Sequence, residues 1–170
     1  MKTKNLLQLD KKRYANEKMP LWQFFWRKSQ ISKFKILKIF YKAICSVLKK
    51  SKGIEISSLL DCGPGVYFGH DYCITINPGT KLGRNINIHK GVTIGRENRG
   101  PRKGVPTIGN TVWIGINSTI VGKITIGDDV LIAPNSFVNK DIPAHSVVVG
   151  NPCSIHPKEN ATEGYINNKI

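Results

Sequence analysis

The sequence predicts a mainly β protein, a triangular parallel β-solenoid preceded by a short α-helical segment. Three observations predict this fold: a six-residue repeat of aliphatic residues after residue 54, glycines that follow many repeat positions, and a lysine-rich segment before the repeat. A period of six fits neither the 3.6-residue turn of a helix nor the two-residue alternation of a hairpin strand. It fits a short strand and a tight turn that recur, so that three units complete one triangular coil.

The charge is concentrated in the first third of the chain. The 170 residues include 26 Lys+Arg and 11 Asp+Glu, which gives a formal net charge of +15. Residues 1–53 hold 15 basic and two acidic residues, a net of +13, whereas residues 54–170 hold 11 and nine, a net of +2. This asymmetry argues against a basic protein of the ribosomal type, in which charge is spread throughout. The length allows one domain with a core and one appendage.

The N-terminal sequence has no recognisable targeting or spanning segment. No apolar run approaches the roughly 18–20 residues that a membrane-spanning helix needs. The charged residues that follow Met1 interrupt any signal-peptide core. The four cysteines form no C-x-x-C pair, which is typical of reduced thiols. We therefore expect a cytoplasmic protein, with a peripheral position at the inner face of the membrane as an alternative.

Residues 1–53 are predicted to be a basic amphipathic helical segment. Apolar residues recur at spacings of three and four, with lysines between them, at Ile31, Phe34, Leu37, Tyr41, Ile44 and Leu48. The helix either packs on its own domain or a neighbouring subunit, or lies on an anionic membrane with Trp22 and Trp26 at the interface. Nucleic-acid binding is least favoured, because no recognised module accompanies the charge.

Residues 54–155 carry the repeat and form the predicted solenoid domain. Thirteen positions keep the six-residue phase in three blocks: Ile56, Cys62 and Phe68; Ile76, Leu82, Ile88 and Ile94; and Ile108, Ile114, Ile120, Ile126, Ile132 and Val138. These side chains should point inward and stack on their equivalents in neighbouring coils. Two extra residues separate the first and second blocks, and eight separate the second and third. Residues 156–170 follow as a polar C-terminal tail, which we expect to be loosely ordered.

Three motifs of the repeat region resemble known enzymes. The segments are Gly65 to His70 followed by Ile74 to Pro78, Asn87 to Gly95, and Lys140 to Pro152. They are similar to hexapeptide-repeat acyltransferases of the left-handed parallel β-helix class, and more narrowly to the serine acetyltransferase branch. The resemblance implies acetyl-CoA as the acyl donor and a homotrimer with active sites between subunits.

Acetyl transfer to a hydroxyl needs a base within hydrogen-bond reach, and histidine is the natural candidate near neutral pH. His70 follows the inward residue Phe68 by two positions and should point outward from a corner. His89 should stack beneath Gly69, beside His70, because three repeat units separate Phe68 from Ile88. His145 and His156 lie in a turn and in the tail and are expected to be ordinary surface residues.

The resemblance also suggests roles for individual residues. His70 occupies the position of the catalytic base of serine acetyltransferases, and Glu55 that of an aspartate that binds the amino acid. Capsule O-acetyltransferases that act on sialic acid are similar in having a histidine and a tryptophan 24 residues apart, as His89 and Trp113 are. Two departures weaken serine as the acceptor: Gly69 replaces the aspartate that precedes the base, and Val105 replaces a second histidine. A short basic segment also stands where the family has a long helical domain.

The long excursion at residues 96–107 is rich in glycine and basic residues, which favour the phosphates of CoA. The candidate contacts for acetyl-CoA are Arg102, Lys103, Gly115, Lys123 and Lys140, the last three because the resemblance places CoA along later coils. No metal is expected, since a metal-dependent hydratase on this fold needs three converging histidines and only two qualify.

We therefore predict an acetyl-CoA-dependent O-acetyltransferase that acetylates a hydroxyl of a sugar or cell-surface polysaccharide, with histidine as the general base. The alternative with the same chemistry is the serine O-acetyltransferase of cysteine biosynthesis. The alternative of another class is a non-catalytic, membrane-associated solenoid scaffold. The expected partners are a small-molecule or glycan acceptor and further copies of the chain, with no nucleic acid.

Overall fold

The computed structural model describes residues 6–170, which form three helices followed by short strands. The helices are α1 (Leu6–Arg13), α2 (Leu21–Ile31) and α3 (Lys35–Lys50). Sheet A contains β1 (Glu55–Ile56), β4 (Thr75–Ile76), β7 (Thr93–Gly95), β10 (Thr119–Val121) and β13 (Phe137–Val138). Sheet B contains β2 (Asp61–Cys62), β5 (Lys81–Leu82), β8 (Thr107–Ile108) and β11 (Thr125–Ile126). Sheet C contains β3 (Tyr67–Gly69), β6 (Asn87–His89), β9 (Val112–Ile114), β12 (Val130–Ile132), β14 (Ser146–Val149) and β15 (Ser154–Pro157).

The three sheets form the sides of a triangular solenoid of about five coils, as the six-residue period predicts. From β1 to β13 every third strand joins the same sheet, and β14 then extends sheet C beside β12. The strands pair in parallel except for β15, which is antiparallel to β14. All thirteen repeat positions are buried, and the most accessible of them, Cys62, is 8% exposed. Their aliphatic side chains stack along the axis into one continuous core, so that each coil buries the apolar faces of its neighbours.

Close stacking of the coils requires glycine at the corner where the chain passes from sheet B to sheet C, the B–C edge. Gly63, Gly83, Gly109 and Gly127 occupy this corner in successive coils. A Cβ atom on Gly83 would lie 2.4 Å from the carbonyl oxygen of Gly109, and one on Gly63 would lie 2.6 Å from that of Gly83. No side chain fits at these distances, which accounts for the glycines that follow the repeat positions at the B–C edge.

The N-terminal segment is three helices rather than one. The predicted stripe from Ile31 to Leu48 breaks at residues 32–34, between α2 and α3. The placement of Trp22 and Trp26 at a membrane interface is wrong: both are 1% exposed and pack on Phe68 of the first coil, with ring centroids 4.8 and 6.3 Å away. Helix α2 therefore covers the open N-terminal end of the solenoid core. No helix within residues 6–170 is long and apolar enough to cross a membrane.

The C-terminal tail is packed against the solenoid, contrary to the expected loose order. The Asp129 carboxylate accepts hydrogen bonds from the backbone amides of Ala161 and Thr162 and from the Thr162 hydroxyl. At the far end of the tail, Asn85 and the backbone of Ile170 exchange two hydrogen bonds of 3.0 and 3.1 Å. The tail thus follows the outer face of sheet C toward α1, a course that no local sequence pattern indicates.

Candidate active site

His70 lies at the corner where the chain passes from sheet C to sheet A, the C–A edge. It follows β3 with a φ of +53°, and its side chain is exposed, as predicted. Its carbonyl oxygen accepts a 2.7 Å hydrogen bond from the Tyr72 amide. The next residue, Asp71, accepts hydrogen bonds from the indole of Trp22 and the ammonium of Lys52. The turn that carries His70 is therefore held to the helices as well as to the solenoid.

His89 lies on the same edge, one coil further along. Gly69 and His89 are register partners on the parallel strands β3 and β6, which confirms the predicted stack. A Cβ atom on residue 69 would lie 2.5 Å from His89 Nδ1, so glycine at that position leaves room for the imidazole ring. Burial, with a smaller effect of nearby His70, lowers the pKa of His89 to about 4. His89 is therefore neutral at physiological pH, and its buried Nε2 has no hydrogen-bond partner within residues 6–170.

A cavity of about 350 Å³ opens beside His89, between α1, sheet C and the tail. Trp113 contacts both His89 and Tyr165, with ring centroids 4.7 and 5.1 Å apart. The structure therefore brings together His89 and Trp113, as their spacing suggested. Tyr165 and Arg13 also line this cavity and were missed, because they belong to segments outside the repeat.

Glu55 does not share that cavity. It starts β1 on sheet A, is exposed, and lines a separate groove of about 450 Å³ together with Lys49, Thr75 and Asn77. The two predicted substrate-binding residues, Glu55 and Trp113, therefore lie on different faces of the solenoid. A single small acceptor cannot touch both within one chain.

The basic candidates for acetyl-CoA gather at the corner between sheets A and B, the A–B edge. The excursion forms a hairpin in which Glu97 and Gly104 exchange two backbone hydrogen bonds of 2.9 Å. Its Arg102 carbonyl accepts a 2.8 Å hydrogen bond from the Lys123 amide, so the hairpin lies on the turn after β10. Lys103 is exposed on the hairpin, and Lys140 follows β13 at the same corner of the next coil. The edge therefore presents four exposed cations to a phosphate-bearing ligand.

Gly115 lies apart from this basic group. It follows β9 at the C–A edge and is buried, and its amide donates a 2.8 Å hydrogen bond to the carbonyl of Ile132. A Cβ atom there would lie 2.6 Å from the Pro134 nitrogen. Close stacking of the next coil therefore accounts for this glycine.

The remaining histidines lie away from the C–A edge. His145 contacts Asp129 at 3.0 Å and Glu159 at 3.3 Å, and His156 contacts Ser154 at 3.0 Å. Within residues 6–170, no group of three or more His, Cys, Asp or Glu side chains is placed to hold a metal ion. The chemistry available at the C–A edge is therefore that of an exposed histidine beside a neutral, half-buried one.

Known proteins share both the repeat and the fold. The family description "Bacterial transferase hexapeptide (six repeats)" matches residues 106–140. A serine acetyltransferase of Helicobacter pylori strain 26695 is 32% identical over 118 residues, which cover 69% of this chain and 69% of the relative. The chain belongs to the serine acetyltransferase family. Serine acetyltransferase 2 of Arabidopsis thaliana is 33% identical over 118 residues, but the match covers only 36% of that longer relative.

Solved structures of the family agree with the fold. The serine acetyltransferase of Neisseria gonorrhoeae in complex with serine superposes with a TM-score of 0.72 at 26% identity, covering 89% of this chain and 68% of that one. The soybean enzyme superposes with a TM-score of 0.73 at 24% identity, covering 91% and 69%. These matches confirm the left-handed β-helix class, and membership in the family confirms the predicted acyltransferase class.

Proposed function

We propose that the chain is an acetyl-CoA-dependent serine O-acetyltransferase, with His70 as the general base. The observation that carries this proposal is the pair of histidines on the C–A edge of a solenoid that belongs to the serine acetyltransferase family. Our main interpretation from the sequence, a sugar acceptor, gains no support from these relatives. They favour the serine alternative.

The environments of the two histidines favour His70 as the base. A general base is most effective when its pKa lies near the working pH. With its pKa lowered to about 4, His89 accepts a proton poorly at neutral pH. His70 is exposed at the edge and free to take the proton of an acceptor hydroxyl as the acetyl carbon is attacked. The bond between the acetyl carbon and the CoA sulfur then breaks, and CoA leaves as a thiolate that takes up the proton held by His70.

A sugar hydroxyl remains the second candidate acceptor because of one local feature. Gly69 and Val105 stand where the resemblance places the aspartate that precedes the base and a second active-site histidine, so neither of these side chains is present to serve an amino-acid acceptor. The neighbouring cavity of about 350 Å³ has an aromatic wall of Trp113 and Tyr165 instead. Aromatic faces of this kind suit the apolar face of a sugar ring.

Thiol release from acetyl-CoA with a panel of acceptors tests the proposal. We expect the native chain to release CoA in the presence of L-serine and to yield O-acetylserine, identified by mass spectrometry. Release only with sugars or oligosaccharides would move the acceptor to the second candidate. If no hydroxyl acceptor of the panel causes release of CoA, O-acetyl transfer is contradicted. The alternative of a non-catalytic scaffold would then be favoured.

We also propose that α3 rests on an anionic membrane surface. The helix exposes large apolar side chains, at 82% for Ile36, 60% for Ile39, 55% for Phe40 and 73% for Val47, and Phe34 just before it is 71% exposed. Residues 18–54 contain ten basic residues and no acidic residue. Apolar side chains flanked by lysines are the pattern of a helix that lies in the interface of anionic lipid.

Vesicle sedimentation tests this contact. We expect the native chain to bind phosphatidylglycerol-containing vesicles better than neutral phosphatidylcholine ones, and added salt to weaken binding. The Ile36→Ser/Phe40→Ser variant should bind about tenfold or more weakly, whereas Leu59→Ser, an equally exposed residue outside the helix, should not change binding. Equal binding to both lipids would contradict the proposal.

If no vesicle binds and the Ile36→Ser/Phe40→Ser variant changes the oligomer size measured by light scattering, α3 is a contact between subunits. The same measurement tests the homotrimer, which stays a prediction.

A further inference from the structure

The cavity beside His89 contains an unpaired buried cation. Arg13 lines it and is only 4% exposed. Its Nε donates a 3.0 Å hydrogen bond to the Gly65 carbonyl, and Nη2 donates to Asn87 Oδ1. Its Nη1 is buried without a hydrogen-bond partner, and Arg13 forms no ion pair within residues 6–170. A buried charge without a partner is costly, so a native structure that keeps one has a reason to do so.

The nearby acidic groups are already engaged elsewhere. Asp10 forms the ion pair with Arg27 at 2.7 Å and accepts the amides of Gly65 and Val66. Glu17, at the exposed rim of the cavity, accepts a 2.8 Å hydrogen bond from the Tyr67 hydroxyl. The positive charge of Arg13 is therefore left for a group that enters from outside the chain.

His89 lines the same cavity, and its buried Nε2 is a second nitrogen without a hydrogen-bond partner within residues 6–170. His89 is neutral, so its Nε2 exchanges a hydrogen bond with a hydroxyl group rather than binding an anion. Trp113 and Tyr165 give this cavity an aromatic wall. The volume of about 350 Å³ exceeds what an amino acid the size of serine fills and suits a six-membered ring with substituents.

We propose that this cavity binds a hydroxylated carboxylate of about the size of a monosaccharide. Its carboxylate pairs with Arg13 Nη1, a hydroxyl meets His89 Nε2, and its ring lies on Trp113. One free guanidinium nitrogen matches a singly charged carboxylate better than a doubly charged phosphate, which proteins hold with several donors. The site shares His89 with the proposed catalytic edge, but a carboxylate bound at Arg13 does not depend on the identity of the acetyl acceptor.

Calorimetric titration without acetyl-CoA tests the site independently of acetyl transfer. The probes are D-glucuronate, D-galacturonate and quinate, with D-glucuronamide as an uncharged molecule of matched size. We expect at least one carboxylate to bind at millimolar concentration and the amide to bind at least about 30-fold more weakly, because it lacks the charge that Arg13 pairs with.

Three variants show whether Arg13 and the tail form the site. Arg13→Met should abolish the preference for carboxylate, and Lys12→Met, an exposed position on the same helix, should leave it intact. Because Arg13→Met also removes a bond to Gly65, the Tyr165→Ala variant provides a second probe at an exposed position; it should weaken binding without lowering the melting temperature. Failure of all three carboxylates to bind, or equal binding of D-glucuronate and its amide, overturns the proposal.

Discussion

Replacement of His70 by alanine lowers kcat by about 10²–10⁴-fold, because the acceptor hydroxyl loses the base that removes its proton. The exposed imidazole makes no side-chain hydrogen bond within residues 6–170, so its removal should leave the fold intact. The KM for acetyl-CoA should change little, since the cations that favour its phosphates lie on the A–B edge. Steady-state thiol release by the purified variant, alongside its circular dichroism spectrum, measures both effects.

The matched controls are the other histidines. His145→Ala, whose ring contacts Asp129 and Glu159 away from the C–A edge, should retain native kcat. His89→Ala should raise KM for the acceptor more than it lowers kcat, because His89 is neutral and lines the neighbouring cavity. A full rate in His70→Ala together with an inactive His89→Ala would transfer the role of base to His89.

Replacement of Arg27 by methionine destabilises the fold by about 3–5 kcal/mol, since it leaves the Asp10 carboxylate buried without its cation. Both side chains are 0% exposed and joined at 2.7 Å. Arg27 also donates hydrogen bonds to the carbonyls of Cys62 and Gly63 in the first coils, at 3.0 and 2.6 Å. This one residue thus joins α1, α2 and the solenoid. The free energy of unfolding from denaturant titration gives the change.

Lys52→Met provides the comparison for this loss. Lys52 and Asp71 are 28% and 15% exposed and lie 3.1 Å apart, so water already solvates the pair in part. Its removal should cost less than about 1 kcal/mol. Equal losses for Arg27→Met and Lys52→Met would show that the buried pair has no special part in holding the helices to the solenoid.

The solenoid could be predicted from the sequence because its core repeats. Each inward residue has the same neighbours one coil above and one below, so the phase from Ile108 to Val138 specifies a long-range contact as well as a local turn. The stack of His89 on Gly69 follows from the same counting. The repeat period alone therefore places the two histidines on a shared edge.

The contacts of the helices and the tail could not be predicted in this way. Arg13 reaches Gly65 across 52 residues of sequence, and Asn85 reaches Ile170 across 85. Neither pair belongs to a repeat, and a lysine-rich helix has the same pattern whether it covers a core or faces solvent. Trp22 and Trp26 illustrate this ambiguity, because an amphipathic pattern does not show whether the apolar face of the helix packs on the protein core or on a membrane. Thus the sequence could predict the C–A edge with its two histidines, and it could not predict the cavity beside that edge.

A structure of the chain with bound CoA tests whether acetyl transfer takes place at the C–A edge. We expect the thiol sulfur beside the His70 imidazole and the phosphates near the cations of the A–B edge, among them Arg102 and Lys123. A sulfur atom at the glycine-lined B–C edge, or nearer to His89 than to His70, would contradict the assignment of the base.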